Sequence, residues 1–252
     1  DLGFIGFGQS LFNSRYGVPG HVHVEDHDHD HDHDHDHDHG HDDAHGAVRI
    51  VMDQRRSELR GGVDDFGPFQ SLRARVAHTD YTHTEYEGDE VGTVFDNESL
   101  EARIELAHRP LGGWEGAFGL QWSKRDFAAV GAEAFVPDSE SRDAGLFWIG
   151  ERDFGPVSLE LGLRHDRNRI DVAADAGRSR DFDTTSLSTA LKWEVGDTWH
   201  ATLGLDRAQR APTAEELYSD GVHVATRSVE LGDTTLDIET ATRAEIGVEW
   251  HG

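Results

Sequence analysis

Between His21 and His45, histidine and carboxylate alternate in a pattern suited to one chemistry above others, the binding of a divalent metal. The imidazoles are His21, His23, His27, His29, His31, His33, His35, His37, His39, His41 and His45, which is 11 of the 18 in the chain; 10 of the 50 acids share the segment, with no Lys or Arg. Neutral imidazole and carboxylate are zinc donors, and a pliable repeat can bring any four of them together. Many overlapping sites of modest affinity result, with poor selection among Zn²⁺, Ni²⁺ and Cu²⁺. So little of the segment is apolar that burial cannot offset its ordering entropy, and residues 21–45 read as a mobile insertion that collects metal. Binding should weaken as the histidines protonate near pH 6. The bland alternative is a solvated polar loop with no dedicated role.

Composition bounds the rest. The chain has 252 residues, no Cys and a formal charge of −27, which excludes a disulfide scaffold and argues against nucleic acid as a partner. No apolar run reaches the roughly 18 residues that a membrane helix requires. Asp1 opens the chain with neither Met nor a signal peptide, so the sequence is expected to be an internal piece of something larger.

Beyond the insertion the apolar residues recur with period two. Trp114, Gly116, Phe118, Leu120 and Trp122 oppose Glu115, Ala117, Gly119, Gln121 and Ser123, and Leu100, Ala102, Ile104 and Leu106 oppose Glu101, Arg103 and Glu105. Val157 to Leu163, Leu187 to Val195 and Ala244 to Trp250 repeat the pattern. A soluble antiparallel sheet is one reading, but its strands average about 5 to 6 residues. A strand tilted across a bilayer needs about 9 to 11, and several segments alternate for that long. Arg and Glu together on the second face suit a wet or plugged lumen.

The connections point the same way. Short ones (64–68, 110–113, 153–156, 196–198) alternate with long polar ones (21–45, 81–92, 130–142, 171–181, 211–240), as expected of an up-and-down outer-membrane barrel with tight periplasmic turns and long outer loops. The 6 Pro fall in or beside these connections, where no ladder donor is needed. Trp114, Trp193, Trp199 and Trp250 then sit near the short-turn ends as an aromatic girdle. The fold class is therefore all-β, an antiparallel transmembrane barrel of about ten strands.

The stretch Arg210-Ala-Pro-Thr-Ala-Glu-Glu-Leu-Tyr-Ser-Asp-Gly-Val-His223, with Glu230-Leu-Gly-Asp-Thr-Thr-Leu-Asp-Ile-Glu-Thr-Ala after it, resembles the barrel signature of TonB-dependent outer-membrane receptors. Within them it is most similar to the zinc-uptake receptors. Further matches are Asn13-Ser-Arg-Tyr-Gly-Val-Pro-Gly-His21, Tyr81-Thr-His83-Thr-Glu85-Tyr-Glu-Gly-Asp-Glu-Val-Gly-Thr, Ala132-Glu-Ala-Phe-Val-Pro137 and Arg180-Asp-Phe-Asp183. The resemblance implies a 22-stranded barrel in outer-membrane lipid, of which residues 1–252 are a part. It also implies an N-terminal plug, absent from this sequence, through which the TonB complex delivers energy.

The cargo implied is zinc or a related divalent ion such as Ni or Cu, and the fixed ligands would be barrel-loop His and Glu side chains joined by plug residues. His223 lies in the signature on an outer loop. His83 and Glu85 flank one residue in another outer loop, so their side chains can emerge on one side of an extended segment. His78, His108, His165, His200 and His251 read as ordinary lumen or turn histidines. A haem or siderophore receptor of the same fold is the alternative, since haem receptors also carry a His at the position of His223. Haem needs only one or two axial ligands, however, and not eleven imidazoles. A passive metal-binding surface barrel is the alternative from another class. No nucleophile motif such as Gly-x-Ser-x-Gly accompanies His165-Asp166, so no enzyme is expected.

Overall fold

The computed structural model describes residues 3–18, 48–131, 134–172, 179–223, 225–226 and 228–252; the His/Asp repeat at 21–45 lies outside them. Ten long antiparallel strands build one sheet. They are β1 (Gly3–Gly17), β2 (Val48–Phe66), β3 (Phe69–Glu87), β4 (Glu90–Leu111), β5 (Trp114–Gly131), β6 (Ser139–Asp153), β7 (Val157–Val172), β8 (Ser179–Val195) and β9 (Trp199–Arg210), with β12 (Glu239–Trp250) closing the row. Between β9 and β12 lie the helix α1 (Ala214–Tyr218) and a small hairpin, β10 (Asp220–His223) with β11 (Ser228–Leu231). Each strand pairs with its sequence neighbours, and β12 pairs with β9; β1 and β12 are not paired with each other, so the sheet stays open there.

The registers decide which residues share a face. Leu100 pairs with Lys124, Ile104 with Leu120 and Leu106 with Phe118; Leu161 pairs with Thr189, Leu163 with Leu187, and Trp199 with Trp250. These rows form the outer face, where Phe118, Leu120, Leu163, Leu205 and Trp250 are exposed. An apolar residue left exposed on a folded sheet is stable only if something apolar covers it, and for strands of this length that is lipid hydrocarbon. The belt is bounded along each strand. On β5 the outward row runs Trp114, Gly116, Phe118, Leu120, Trp122 and then turns to Lys124, which bonds Asp126 at 2.7 Å and Glu140 at 2.8 Å. Nine residues separate the two indoles inclusively, the length a tilted strand needs to cross the hydrocarbon. A switch from apolar to polar falls at Val76/His78 and at Leu163/His165.

The turn end carries the aromatic girdle. Trp199 and Trp250 meet across the ladder with centroids 6.4 Å apart, and Trp114 packs edge-on against Trp148 at 5.8 Å. Trp148 Nε1 donates to His108 Nε2 at 3.3 Å, so the buried His108 serves as the polar partner of a girdle indole. The inner face is polar and paired. Gln121 Oε1 accepts from Arg103 at 3.2 Å and Arg164 at 3.4 Å, Arg164 Nε donates to Asp166 at 2.8 Å, and both guanidiniums lie over the Phe147 ring.

Two features differ from the sequence reading. Residues 81–92 are not a long loop: β3 runs to Glu87 and turns through Gly88 and Asp89 directly into β4, with Gly88 at φ +60°, a conformation that glycine adopts without steric cost. The strands simply continue past the bilayer. Residues 211–240, in turn, carry regular structure of their own. Thr213 caps α1 in a reciprocal box, its hydroxyl accepting from the Glu216 N–H while the Glu216 carboxylate accepts from the Thr213 N–H. Leu217 is fully buried against Ile170, Phe182 and Ala214, which folds the segment onto the inner wall.

Candidate metal centre

The extended β3–β4 ribbon places His83 and Glu85 on the inner face, two residues apart on one strand, with Glu85 opposite Ile50 and Thr93 and His83 opposite Met52 and Phe95. Glu85 is 6% exposed. A carboxylate so withdrawn from water needs partners, and two imidazoles supply them: His223 Nε2 at 3.4 Å and His83 Nε2 at 3.7 Å from the same oxygen, Oε1. His223 arrives from the β10–β11 hairpin, held there by its pairing with Ser228 and by the Asp220 N–H donating to the Phe135 carbonyl. Its other nitrogen, Nδ1, lies 2.8 Å from Glu230 Oε1.

Apolar rings fix both imidazoles. His83 stacks on Phe95 at 4.4 Å and His223 on Phe135 at 4.6 Å, and Phe95, Phe135 and Val136 form one buried cluster. Glu85 lies near the end of a 19-residue strand, far beyond the stretch that spans hydrocarbon. Burial pushes its carboxyl up, but the His83 and His223 side chains against it outweigh that and hold it below the usual carboxylate range. The Glu85 carboxylate is therefore anionic at neutral pH.

The set has an unmet requirement. A neutral imidazole carries one N–H and can satisfy one of two carboxylates. If His223 Nδ1 donates to Glu230, then Nε2 and Glu85 Oε1 turn lone pairs toward one another, and a divalent cation between them would satisfy both. His83 Nδ1 is buried with no hydrogen-bond partner. Two imidazoles and a carboxylate are a zinc donor set, and Glu230 behind His223 is the kind of outer carboxylate that fixes a ligating ring.

Of the residues singled out in the sequence, the structure thus brings His83, Glu85 and His223 together from segments 138 positions apart. The eleven histidines of the repeat lie outside the described residues. His83 and Glu85 occupy a strand and not the expected loop. Glu230 and Phe135 lie in stretches quoted for the resemblance, but neither they nor Phe95 were expected at the site. The i, i+2 rule could have put His223 and Glu230 on neither common strand nor common face, because only the hairpin register joins them. His78, His108 and His165 lie on the outer face and not in the lumen or a turn. Among the described residues, two triads hold one donor atom from each member within 4.8 Å of the other two: His78/Asp80/Glu98 outside the wall, and His200/Glu249/His251 inside it. His83, Glu85 and His223 are not such a set; there the Glu85 oxygen meets each imidazole separately.

Comparison with known proteins agrees with this architecture. Residues 2–252 match the family model described as TonB dependent receptor-like, beta-barrel. Among solved structures, the chain is similar to a double mutant of the Serratia marcescens hemophore receptor HasR in complex with its hemophore HasA and heme (TM-score 0.67, 16% identity, 80% of this chain and 36% of that one). It is also similar to the copper transporter OprC (0.66, 15%, 82% and 40%) and to the FrpB iron transporter of Neisseria meningitidis (0.62, 14%, 82% and 35%). At such identities the likeness is one of fold, and this chain spans well under half the length of each. With a family model matched over nearly every residue, the chain belongs to the TonB-dependent receptor β-barrel family and is an outer-membrane protein.

Proposed function

We propose that this barrel wall belongs to a receptor that imports zinc, or a closely related divalent cation, across the outer membrane with energy delivered by TonB through a plug domain. The observation that carries the reading is the buried Glu85 carboxylate between the His83 and His223 imidazoles, on the inner wall at the outer mouth. The donor types are those of zinc, and the remaining ligands would come from the plug. The His/Asp repeat precedes β2 in the sequence, and its donor types suit a collector that raises the local cation concentration without forming the fixed site.

A haem reading draws on His223 alone, whose ring is stacked on Phe135 and so presented as a single axial ligand could be. The similarity to a receptor solved with heme concerns that protein. The test is to titrate the full-length receptor and its His223→Ala variant with zinc and, separately, with haem. Loss of one ligand should weaken zinc binding at least tenfold, about 1.4 kcal/mol or more, with haem binding unchanged. Unchanged zinc affinity with haem binding lost would transfer the assignment to haem; no change in either would overturn both.

A further inference from the structure

Glu249 and His251 stand two residues apart at the end of β12, and the ladder to β9 sets Glu249 directly opposite His200. Residues i and i+2 of a strand, and the cross-strand partner of one of them, share a face. That face is the inner one, because Glu249 continues the row of Glu245 and Gly247 while His200 continues that of Asp206, Gly204 and Thr202. The His251 N–H donates to the Thr198 carbonyl at 2.8 Å, carrying the pairing one step past β12 and holding the ring beside its neighbours. His251 Nε2 lies 3.6 Å from Glu249 Oε2. The His200 and His251 rings are 5.0 Å apart with their planes at 63°, so their nitrogen lone pairs can converge on a common point.

We propose that His200, Glu249 and His251 form a second divalent transition-metal site, on the inner wall at the short-turn mouth of the barrel, at the opposite end from Glu85. One donor atom from each lies within 4.8 Å of the other two. Tetrahedral zinc with bonds of about 2.1 Å spaces its donors roughly 3.4 Å apart, so closing the site requires rotamer changes in the half-buried His200 and the exposed Glu249 and His251. The wall that leads to it is lined by Glu115, Glu151, Glu160, Asp206 and Glu245 against Lys192, and such a surface concentrates cations. Three donors leave a coordination position for water or an incoming ligand, which suits a station that must also release its ion. The existence of the site stands on this geometry; its place on an inward route for zinc rests on the function proposed above.

The test uses the full-length receptor with residues 21–45 deleted, so that the repeat contributes no ligands. It is titrated with Zn²⁺ by calorimetry and with Co²⁺, whose visible bands report the coordination. His200→Ala/His251→Ala should remove one equivalent, or weaken it at least tenfold, and Glu85→Gln/His223→Ala should remove a different one. If the first double variant misfolds, judged by heat-modifiable migration, Glu249→Gln takes its place. Unchanged stoichiometry and affinity in the variant at the turn end would overturn the proposal, as would loss of the same equivalent in both variants. If the turn-end variant abolishes an equivalent while Glu85→Gln/His223→Ala changes nothing, this site stands and the outer site falls.

Discussion

His223 faces two carboxylates with one ring, and the assignment of its nitrogens carries a consequence. Its Nδ1 is 2.8 Å from Glu230 and its Nε2 is 3.4 Å from Glu85. If Nδ1 donates to Glu230, Nε2 is the nitrogen left for a metal, and at the proposed zinc site Glu230 is then a positioning residue. Glu230→Gln keeps the shape and an acceptor oxygen but removes the charge that strengthens the ring as a ligand. Zinc affinity of the full-length receptor should fall by roughly 10-fold to 100-fold, the range found for outer carboxylates at zinc sites, and calorimetry reads it directly. An unchanged affinity would show that Glu230 packs beside the ring without tuning it. Phe95 and Phe135 contribute differently, since they clamp the two imidazoles without offering donors.

At the scale of elements, α1 and the β10–β11 hairpin decide whether His223 reaches Glu85. The segment is tied down by Leu217 in its apolar pocket, by Arg125 bonded to Glu215 at 2.7 Å, and by Arg210, which donates to Glu216 at 2.8 Å and to Glu239 at 2.7 Å. Hydrogen bonds from Arg210 and from the Thr213 N–H lower the Glu216 carboxyl from 4.5 to about 2. A depressed carboxyl stabilises the fold above its unfolded value and loses that contribution as pH falls through its folded value. The cap should therefore hold at neutral pH and loosen between about pH 4.5 and 2, as read by protease cleavage within 211–240. Glu216→Gln should flatten that dependence while the barrel strands remain protected. Deleting residues 27–41 should reduce growth under zinc limitation only in part, whereas complete loss of uptake would make the repeat itself the site.

For the whole molecule the decisive property is the assignment of faces. Leu161 lies on the outer row between Gly150 and Thr189, while the neighbouring Glu160 turns inward to accept from Lys192 at 2.6 Å. Leu161→Arg places a guanidinium in hydrocarbon at a cost of about 2 to 4 kcal/mol near the midplane. Glu160→Arg loses an exposed ion pair worth under about 1 kcal/mol and faces a wet lumen. Folded yield in lipid, measured by heat-modifiable migration, should drop sharply for the first and little for the second. Equal yields would remove the support for the outer face being the lipid face. The belt predicts its own limit as well, because outward positions beyond Trp122, such as Lys124 and Asp126, already carry charge.

Much of this architecture follows from local rules that a sequence states directly. Period two marks strands, and alternation kept up for the roughly 9 to 11 residues that a tilted strand needs marks a bilayer thickness, so about ten strands and their apolar faces were legible without coordinates. Pro212-Thr213-x-x-Glu216 carries the capping-box pattern in the sequence itself, a local signal for the start of α1. Residues 81–92 were harder, because their polar character is the same in a loop and in a strand that has left the membrane; only the unbroken pairing of β3 with β4 separates the two. The donor sets divide in the same way. His83 with Glu85, and Glu249 with His251, share faces by spacing alone. That His223 meets Glu85 and that His200 meets Glu249 depends on cross-strand register and on the hairpin folding back over the wall, and these are set by side-chain packing summed over distant segments. Tertiary structure decided them, since no rule of local periodicity carries information across 138 residues.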